Sequence, residues 1–442
     1  MLAGGCAAAR RSAAPPPKPK PASRGSLVRV VVFDGDLRRR VPAATVWIGH
    51  RRLRADRRGV ARVRLVPGPA LVRVRAHGYT PSERRTDFSR FPILTVRVYQ
   101  PRLQWTMYGG SPERTQVHQS IRLRPPFRIV WSVTSDNLIE FPAVVSDGFA
   151  YIATQSGTVR AISMRRGTIA WRRELHATMA ASLAVWGDEL VVHDMNGHVR
   201  VLDRSNGRTL WDKAVGSPIE SSPVIRDDLD YLGTWDGRVL ALDLRHRRVR
   251  WSDSFGAKIT ASVSLSADTA YLGNYAGRVL ALDARTGRLR WSGSVNGRVY
   301  GTAPVSAGRL FVPSSDGNSV TAFSTSGSRL WSFDTGSYVY SSPAAWGGRV
   351  IFGSYNGVLY CVSAASGRRL WTVAVGGSIS GAPVVVSGVV YAASFGNRTV
   401  GVDVRTGSVI FRFPHGEYVP VSGDGGRLLL HGYSRLYAVA PR

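Results

Sequence analysis

Eight aromatic residues recur along the chain at a fixed interval of forty residues. They are Trp131, Trp171, Trp211, Trp251, Trp291, Trp331, Trp371 and Phe411. Four short strand-like segments separate successive anchors, and a period of this size with that content is typical of a β-propeller blade. The repeat therefore predicts the fold of about three quarters of the 442 residues. It does not predict the chemistry, because this architecture carries many unrelated functions.

The spacing of the anchors also predicts how the propeller closes. Residues 412–440 supply three strands after the last anchor, without a fourth. We expect residues 127–131 to add the missing strand from the other end of the repeat region, because closure leaves no unpaired strand edge. The sequence thus predicts an all-β protein in which residues 127–442 form an eight-bladed propeller of four-stranded blades.

The clearest repeat, residues 281–291, has the sequence ALDARTGRLRW, and the segments that end at Trp251 and Trp211 repeat it. This pattern resembles the pyrroloquinoline-quinone (PQQ) repeat. We expect Gly287 to form the turn between two strands, Asp283 to accept hydrogen bonds from turn amides, and the Trp to wedge between blades. Two departures are local: Arg247 replaces the Gly in one blade and Phe411 replaces a Trp.

The resemblance raises two functional classes. Quinoprotein dehydrogenases, which bind PQQ with calcium, share an adjacent Cys-Cys pair and long inserted loops. This chain has only Cys6 and Cys361, and its blades stay close to forty residues. The relatives with bare blades, such as the outer-membrane assembly propeller lipoproteins, bind other proteins. The resemblance therefore implies a noncatalytic protein without PQQ or another cofactor, and a PQQ-dependent oxidoreductase is the alternative.

Other catalytic motifs are absent from the sequence. It has no Gly-rich phosphate loop, no nucleophile elbow and no Cys/His spacing typical of zinc. The closest histidine pair, His193 and His198, flanks a hairpin turn, where we expect solvated side chains rather than a metal site. Cys361 occupies a repeat position that is otherwise Ala, which predicts a small buried residue.

The positive charge is concentrated ahead of the propeller. The formal net charge is +30, and residues 1–130 carry 27 Lys and Arg against 6 Asp and Glu. Nearly all the basic residues are Arg, a bias more typical of a GC-rich genome than of phosphate binding. We therefore expect no specific nucleic-acid partner, and we expect the basic region to face anionic lipid or a wall polymer.

Residues 1–25 begin with small residues that lead into Cys6, and they resemble the end of a bacterial lipoprotein signal. In that family the Cys becomes the lipidated first residue, so Cys6 is the candidate lipidation site. No apolar segment precedes it, and we expect the rest of such a signal upstream of Met1. The Pro-rich basic stretch that follows is typical of an extended tether.

Residues 26–100 show alternating apolar and basic residues that are typical of strands. The predicted strands cover residues 27–33, 44–48, 60–65 and 71–75. The most informative residues are Pro42, Ala44, Val46 and Gly49, then Ala55-Asp56 with Gly59, then the closing residues 76–79. Their pattern resembles the carboxypeptidase regulatory-like domain. That resemblance implies a transthyretin-like β-sandwich, usually noncatalytic, with Arg on its solvent face. Residues 101–126 are expected to be a connector.

Superposition of the repeats identifies one ring of candidate residues nine positions after each anchor. The ring contains Glu140, Ala180, Glu220, Thr260, Tyr300, Tyr340, Ser380 and, after a three-residue deletion, Glu417. In a propeller this position begins the strand that lines the central channel. Glu140, Glu220, Tyr300, Tyr340 and Glu417 are therefore a candidate site for a cation or a basic peptide end. The alternative is an ordinary polar channel mouth filled by water.

A second ring lies twenty-four residues after each anchor, at hairpin turns. It contains Gln155, Met195, Trp235, Tyr275, Ser315, Tyr355 and Phe395. Aromatic side chains at hairpin tips are poorly buried by their own blade and are enriched in protein interfaces. Trp235, Tyr275, Tyr355 and Phe395 are therefore a candidate partner surface. The alternative is packing against the neighbouring blade.

Together these features predict an exported, lipid-anchored and noncatalytic propeller scaffold. We expect an extracytoplasmic monomer, attached to the cell membrane or exposed at the cell surface, that binds protein or a cell-envelope polymer. A carbohydrate-binding or wall-binding module is the remaining alternative.

Overall fold

The computed structural model describes residues 25–442, so Cys6 and the tether that follows it lie outside the described residues. The chain divides into two compact units. The first contains the described residues up to Phe33 with Arg40–His77 and Pro81–Val98, and the second contains Asp34–Arg39, Gly78–Thr80 and Tyr99–Arg442.

The first unit is a β-sandwich. Its strands are β1 (Ser26–Asp34), β2 (Thr45–Ile48), β3 (Arg51–Arg54), β4 (Val60–Leu65), β5 (Pro69–Arg75), β6 (Ser82–Asp87) and β7 (Ile93–Val98). One sheet has the order β4-β1-β7 and the other the order β3-β2-β5-β6. Val30, Val46, Val74 and Val96 are fully buried in its core. The sequence had predicted neither β3, β6 nor β7. β3 and β6 are rich in Arg and lack an alternating apolar face.

The second unit is the predicted propeller, in which residues 127–441 form eight blades. Blades one to four contain β10 (Val144–Ser146), β11 (Phe149–Ala153), β12 (Thr158–Ser163), β13 (Ile169–Glu174), β14 (Ala184–Trp186), β15 (Glu189–His193), β16 (His198–Asp203), β17 (Thr209–Ala214), β18 (Val224–Arg226), β19 (Leu229–Gly233), β20 (Arg238–Asp243), β21 (Arg248–Ser254), β22 (Ser264–Ser266), β23 (Thr269–Gly273), β24 (Arg278–Asp283) and β25 (Leu289–Ser294).

Blades five to seven contain β26 (Val305–Ser306), β27 (Arg309–Ser314), β28 (Ser319–Ser324), β29 (Arg329–Asp334), β30 (Ala344–Trp346), β31 (Arg349–Gly353), β32 (Val358–Ser363), β33 (Arg369–Ala374), β34 (Val384–Val386), β35 (Val389–Ser394), β36 (Arg398–Asp403) and β37 (Val409–Phe413). The short strand β8 (Val117–His118) adds to blade seven in parallel to β34.

Blade eight closes the ring with strands from both ends of the unit. It consists of β38 (Val421–Gly423), β39 (Leu428–His431), β40 (Arg435–Pro441) and β9 (Phe127–Thr134). β9 pairs antiparallel with β40 over its whole length, from Thr134 opposite Arg435 to Phe127 opposite Pro441. The predicted closure is therefore confirmed.

The anchor Trp side chains lie between blades, as predicted. Trp251 Nε1 donates a 3.0 Å hydrogen bond to the carbonyl of Ala284 in the next blade. Gly287 of that blade has a φ of 79°, and a Cβ built on it would lie 2.7 Å from the Trp251 ring. The next blade's turn thus packs on the indole, and the absence of a Cβ on Gly287 allows this close approach.

At the junction with the preceding blade, Arg247 stands where the other repeats have Gly, and different contacts hold the two blades together. Arg247 has a φ of 55°, and its guanidinium lies 5.6 Å and 5.8 Å from the ring centroids of Trp186 and Trp211. It also bonds both carboxylate oxygens of Glu189. Cation–π contacts and an ion pair replace the close Gly–Trp packing of the other blades.

Residues 25–442 contain a single turn of 3-10 helix, Pro101–Leu103. No helix within this range has the length and apolar character needed to cross a membrane. Cys361 is fully buried on β32, as predicted, and burial raises the pKa of its thiol to about 12.

Candidate binding site at the mouth of the propeller channel

The segment expected to be a connector belongs to the propeller unit and crosses its channel. Backbone groups of residues 105–116 pair with the first strands of six blades at 2.7–3.0 Å. The pairs are Trp105–Val145, Thr106–Val185, Pro112–Leu265, Glu113–Val305, Thr115–Ala345 and Gln116–Val385. We call residues 104–118 the plug. The first strand of a blade has a free edge toward the axis, and the plug satisfies its backbone groups.

Arg114 is the centre of the plug and is fully buried. Its guanidinium donates to the carbonyls of Ser222, Pro223 and Val263 at 2.8–3.1 Å, and also to the carbonyl of Tyr108. Burial lowers the pKa of Arg114 to about 10. The chain therefore holds a cation on the propeller axis by carbonyl dipoles, a function that no repeat pattern could reveal.

A ring of hydroxyl groups joins neighbouring blades above the plug. The backbone amides of Ser182, Ser222, Ser262 and Thr302 each donate to the hydroxyl forty residues later, at 2.9–3.1 Å. Tyr108 from the plug donates to the last of these hydroxyls, Ser342 Oγ, at 3.0 Å. These residues stand eleven positions after the anchors, so repeat superposition could have found them. This ring was not predicted from the sequence.

The plug turns the channel mouth into a cavity with a floor. About 70 Å³ of the cavity is accessible to a molecule the size of water, and its mouth opens to solvent. Tyr108 lies at its floor, and Glu140, Glu220, Tyr300 and Tyr340 line its wall. Seven of the eight blades in residues 127–441 contribute to the lining, so the cavity lies on the propeller axis.

Two carboxylates differ in how they are held in this cavity. Glu220 accepts hydrogen bonds from Tyr300 Oη at 2.7 Å and Trp235 Nε1 at 3.0 Å. Among the described residues, Glu140 has no hydrogen-bond or ion-pair partner. Burial, and then the charge of Glu220, raise the pKa of Glu140 to about 7. The cavity therefore favours a ligand that supplies a positive charge or a hydrogen-bond donor to Glu140.

The two predicted rings form one continuous surface. Six aromatic rings follow one another around the mouth with successive centroid distances of 6.4, 5.1, 4.8, 6.1 and 5.0 Å. We call them the aromatic crescent: Tyr275, Tyr300, Tyr340, Tyr355, Phe395 and Tyr418. Trp235 extends it, since Lys258 Nζ lies 3.3 Å from the Trp235 ring centroid and 5.0 Å from that of Tyr275.

The residue predicted at blade eight differs from the one found at the cavity wall. Tyr418, with a φ of 55°, lines the cavity, whereas Glu417 does not. Burial raises the pKa of the Glu417 carboxyl. The three-residue deletion in this blade changes the backbone path, so counting from the anchor is one residue out.

The expectation that the His193 side chain is solvated is wrong. His193 is fully buried on β15, with Nδ1 2.7 Å from the Ser221 carbonyl and Nε2 2.8 Å from Asp230 Oδ2. Only His198 is partly exposed, and it bonds Asp212. No group of three or more His, Cys, Asp or Glu within residues 25–442 is arranged to hold a metal ion.

The family model of the outer membrane protein assembly factor BamB matches residues 128–258 and 235–442. The two matches together span the whole propeller. This chain belongs to the BamB family. No curated protein matches the sequence. The match begins after the sandwich, so the resemblance of residues 26–100 to the carboxypeptidase regulatory-like domain stays a prediction.

Solved structures agree with the BamB-family fold. BamB from Moraxella catarrhalis has a TM-score of 0.61 and 20% identity, covering 72% of this chain and 98% of that one. A europium-containing methanol dehydrogenase has a TM-score of 0.67 and 13% identity, covering 77% and 98%. The quinohemoprotein alcohol dehydrogenase from Comamonas testosteroni has a TM-score of 0.66 and 13% identity, covering 76% of this chain and 80% of that one. Identities this low show the fold alone.

The donor set at the cavity does not suit the calcium that accompanies PQQ. Calcium takes six to eight oxygen ligands, several of them carboxylates. The cavity offers Glu140 and Glu220, and the second carboxylate is already engaged by Trp235 and Tyr300. The residues present in this BamB-family chain therefore do not fit a PQQ–calcium centre.

Proposed function

We propose that this protein is a noncatalytic scaffold of the cell envelope, exported and lipid-anchored through Cys6, whose propeller binds a basic segment of a partner protein. The observation that carries the proposal is the blind cavity in which Glu140 and Glu220 adjoin the aromatic crescent. Membership of a family described as an outer membrane protein assembly factor supports an envelope location and a protein partner.

The chemistry of the mouth favours a cationic side chain. Carboxylates attract a Lys or Arg of the partner, and aromatic faces add cation–π attraction of about 0.5–2 kcal/mol each. The remaining crescent offers apolar contact to residues on either side of that cation. One basic side chain inserted in the cavity, with its neighbours on the crescent, uses both predicted rings at once.

The orientation of the rings favours a peptide over a glycan. Interplanar angles along the crescent reach 80° between Tyr300 and Tyr340 and 89° between Tyr355 and Phe395. Neighbouring rings therefore do not share one plane along which successive sugar rings could stack. They leave clefts between rings that suit separate side chains.

A titration with short peptides tests the proposal. The probe is acetyl-Gly-Lys-Gly-amide, compared with the same peptide carrying norleucine in place of Lys. We expect saturable quenching of tryptophan fluorescence by the Lys peptide alone, and loss of this signal in Trp235→Phe. Glu140→Gln is expected to weaken binding at least tenfold. Glu174→Gln, which changes an exposed carboxylate on β13, is the matched control.

Two outcomes would contradict the proposal. Equal binding of the Lys and norleucine peptides would remove the role of the carboxylates. Saturable, calcium-dependent binding of PQQ in a parallel titration would favour the oxidoreductase alternative instead. The lipid anchor is tested separately, by membrane fractionation of the chain from its native host against Cys6→Ser.

A further inference from the structure

The sandwich exposes large apolar side chains at one end. Val66, Phe91 and Ile93 are 68%, 62% and 54% exposed. They lie in or next to the loops that join β4 to β5 and β6 to β7. We call these three residues the apolar tip. Apolar side chains that are exposed to water do not stabilise the core of the domain. A patch of them therefore indicates a contact surface.

The two loops of the apolar tip are held side by side by backbone bonds. Phe88 donates its amide to the carbonyl of Gly68 at 2.9 Å, and Pro69 is paired with Asp87 where β5 and β6 meet. Phe88 is itself buried, with 2% of its surface exposed. The loops therefore have a rigid base, and the apolar tip is presented by structure rather than by a disordered segment.

A basic sheet face adjoins the apolar tip. It is the outer side of the sheet β3-β2-β5-β6 and carries five exposed Arg residues: Arg52, Arg54, Arg73, Arg75 and Arg85. Two acidic residues lie on this face: Glu83 is paired with Arg73 at 2.8 Å, and Asp87, at the end of β6, accepts hydrogen bonds from the amide and hydroxyl of Ser89. Arg85 lies opposite Leu71, two residues from the start of β5, so the Arg residues continue to the edge of the tip.

We infer that the sandwich binds the surface of an anionic lipid bilayer, with the apolar tip inserted among the lipid headgroups and the basic sheet face against their phosphates. Apolar side chains enter the boundary between headgroups and acyl chains, while cations nearby are attracted to anionic lipid. The arrangement places both kinds of group on one rigid domain, with the Arg residues running along the sheet away from the apolar tip.

The exposed aliphatic groups favour a bilayer over a nucleic acid. A nucleic acid would accept the Arg residues, but it offers no apolar layer for Val66 and Ile93. The aromatic residue of the basic face is also poorly placed for base stacking, because Arg52 and Arg75 lie over Trp47 at 5.9 Å and 5.8 Å from its centroid. Stacking of bases needs an open aromatic face.

The chain enters the sandwich at the same end. Ser26, at the start of β1, pairs with Leu65, the residue before Val66. Residues 1–24 carry five Lys or Arg and no Asp or Glu. The inference rests on the envelope location proposed above, where a lipid on Cys6 would hold this end of the sandwich to the bilayer.

Vesicle co-sedimentation tests the inference with the full chain carrying Cys6→Ser, so that no lipid anchor contributes. The vesicles are phosphatidylcholine alone or an equal mixture with phosphatidylglycerol. We expect at least tenfold stronger partitioning onto the anionic vesicles. Val66→Ser/Phe91→Ser is expected to weaken partitioning onto the anionic vesicles at least tenfold. Arg52→Gln/Arg75→Gln is expected to weaken it roughly fivefold for each Arg removed.

Matched controls change equally exposed groups on the propeller. Ile129→Ser/Ile169→Ser and Arg329→Gln/Arg369→Gln are expected to bind as the parent does. Equal binding of the parent to both vesicles would overturn the inference, and so would an unaffected Val66→Ser/Phe91→Ser variant. Tighter binding to a DNA duplex than to vesicles would instead assign the face to nucleic acid. The Lys-peptide titration reads the propeller alone, so the two proposals fail separately.

Discussion

The indole Nε1 of Trp235 donates a 3.0 Å hydrogen bond to Oε2 of Glu220. These residues belong to different predicted rings, one at a hairpin tip and one at the start of a channel-lining strand. Their contact joins the aromatic surface to the acidic cavity. Changes to either ring therefore affect a single site.

Removing aromatic faces should weaken ligand binding without unfolding the propeller. Trp235 is 37% exposed and Tyr355 lies at a hairpin tip, so we expect Trp235→Ala and Tyr355→Ala to change the free energy of unfolding by less than about 1 kcal/mol. Binding of the Lys peptide should weaken by about 1–2 kcal/mol for each change. Calorimetric titration measures this, with Leu330→Ala as the control. Unchanged affinity in both variants would contradict the role of the crescent.

Glu140 should make stability depend on pH in a predictable direction. The folded state raises the pKa of this carboxyl from 4.5 to about 7, so it binds the proton more tightly than the unfolded chain does. The resulting stabilisation is complete below the unfolded pKa and is lost as pH rises through 7. Glu140→Gln should therefore increase the free energy of unfolding by roughly 1–3 kcal/mol at pH 8 and little at pH 5. Denaturant titration at both pH values measures the difference, and equal effects would refute the assignment.

Arg114 should be essential for stability. Arg114→Met removes the donor shared by the carbonyls of Tyr108, Ser222, Pro223 and Val263. We expect a loss of roughly 3–5 kcal/mol, because buried acceptors are left without donors. Thermal unfolding followed by circular dichroism tests this. Arg122→Met, an exposed change close to the plug, should have little effect, and similar melting temperatures for both variants would exclude a structural role for Arg114.

Closure of the ring should be required for folding. Deletion of residues 428–442 removes β39 and β40 and leaves β9 without its partner strand. We expect loss of the cooperative unfolding transition, because an open blade exposes strand edges and breaks the ring. Deletion of residues 1–20 is the control. A melting temperature equal to that of the full chain would show that closure is dispensable.

The Gly of each blade turn should be needed for packing as well as for backbone conformation. Gly287 and Gly256 have similar φ values of 79° and 83°. A Cβ at Gly287 meets the Trp251 ring at 2.7 Å, whereas a Cβ at Gly256 meets nothing within 4 Å. Gly287→Ala should therefore cost roughly 1–3 kcal/mol more than Gly256→Ala. Chemical denaturation of the two variants measures the difference. Equal losses of unfolding free energy would show that backbone conformation alone, and not packing on Trp251, requires the Gly.

The position of each residue within its repeat was predictable from the sequence. The contacts that these residues make with other blades were less predictable. Residues nine and twenty-four positions after each anchor were identified by counting, yet their contact depends on how adjacent blades rotate about the axis. The count failed at Glu417, where a deletion changes the backbone path and Tyr418 takes the place at the wall. The hydroxyl ring from Ser182 to Ser342 obeyed the same count and was missed, since small polar residues give no strong pattern.

The sequence alone determined the number of blades, the anchor packing and the closure by β9, because each blade repeats local information every forty residues. Tertiary structure decided what the channel is. The plug lies outside the repeats, and the backbone bonds it makes to six blades depend on strand edges that only the closed ring brings together. The buried cation of Arg114 and the floor under Glu140 follow from that assembly, since both are made by groups more than a hundred residues apart along the chain.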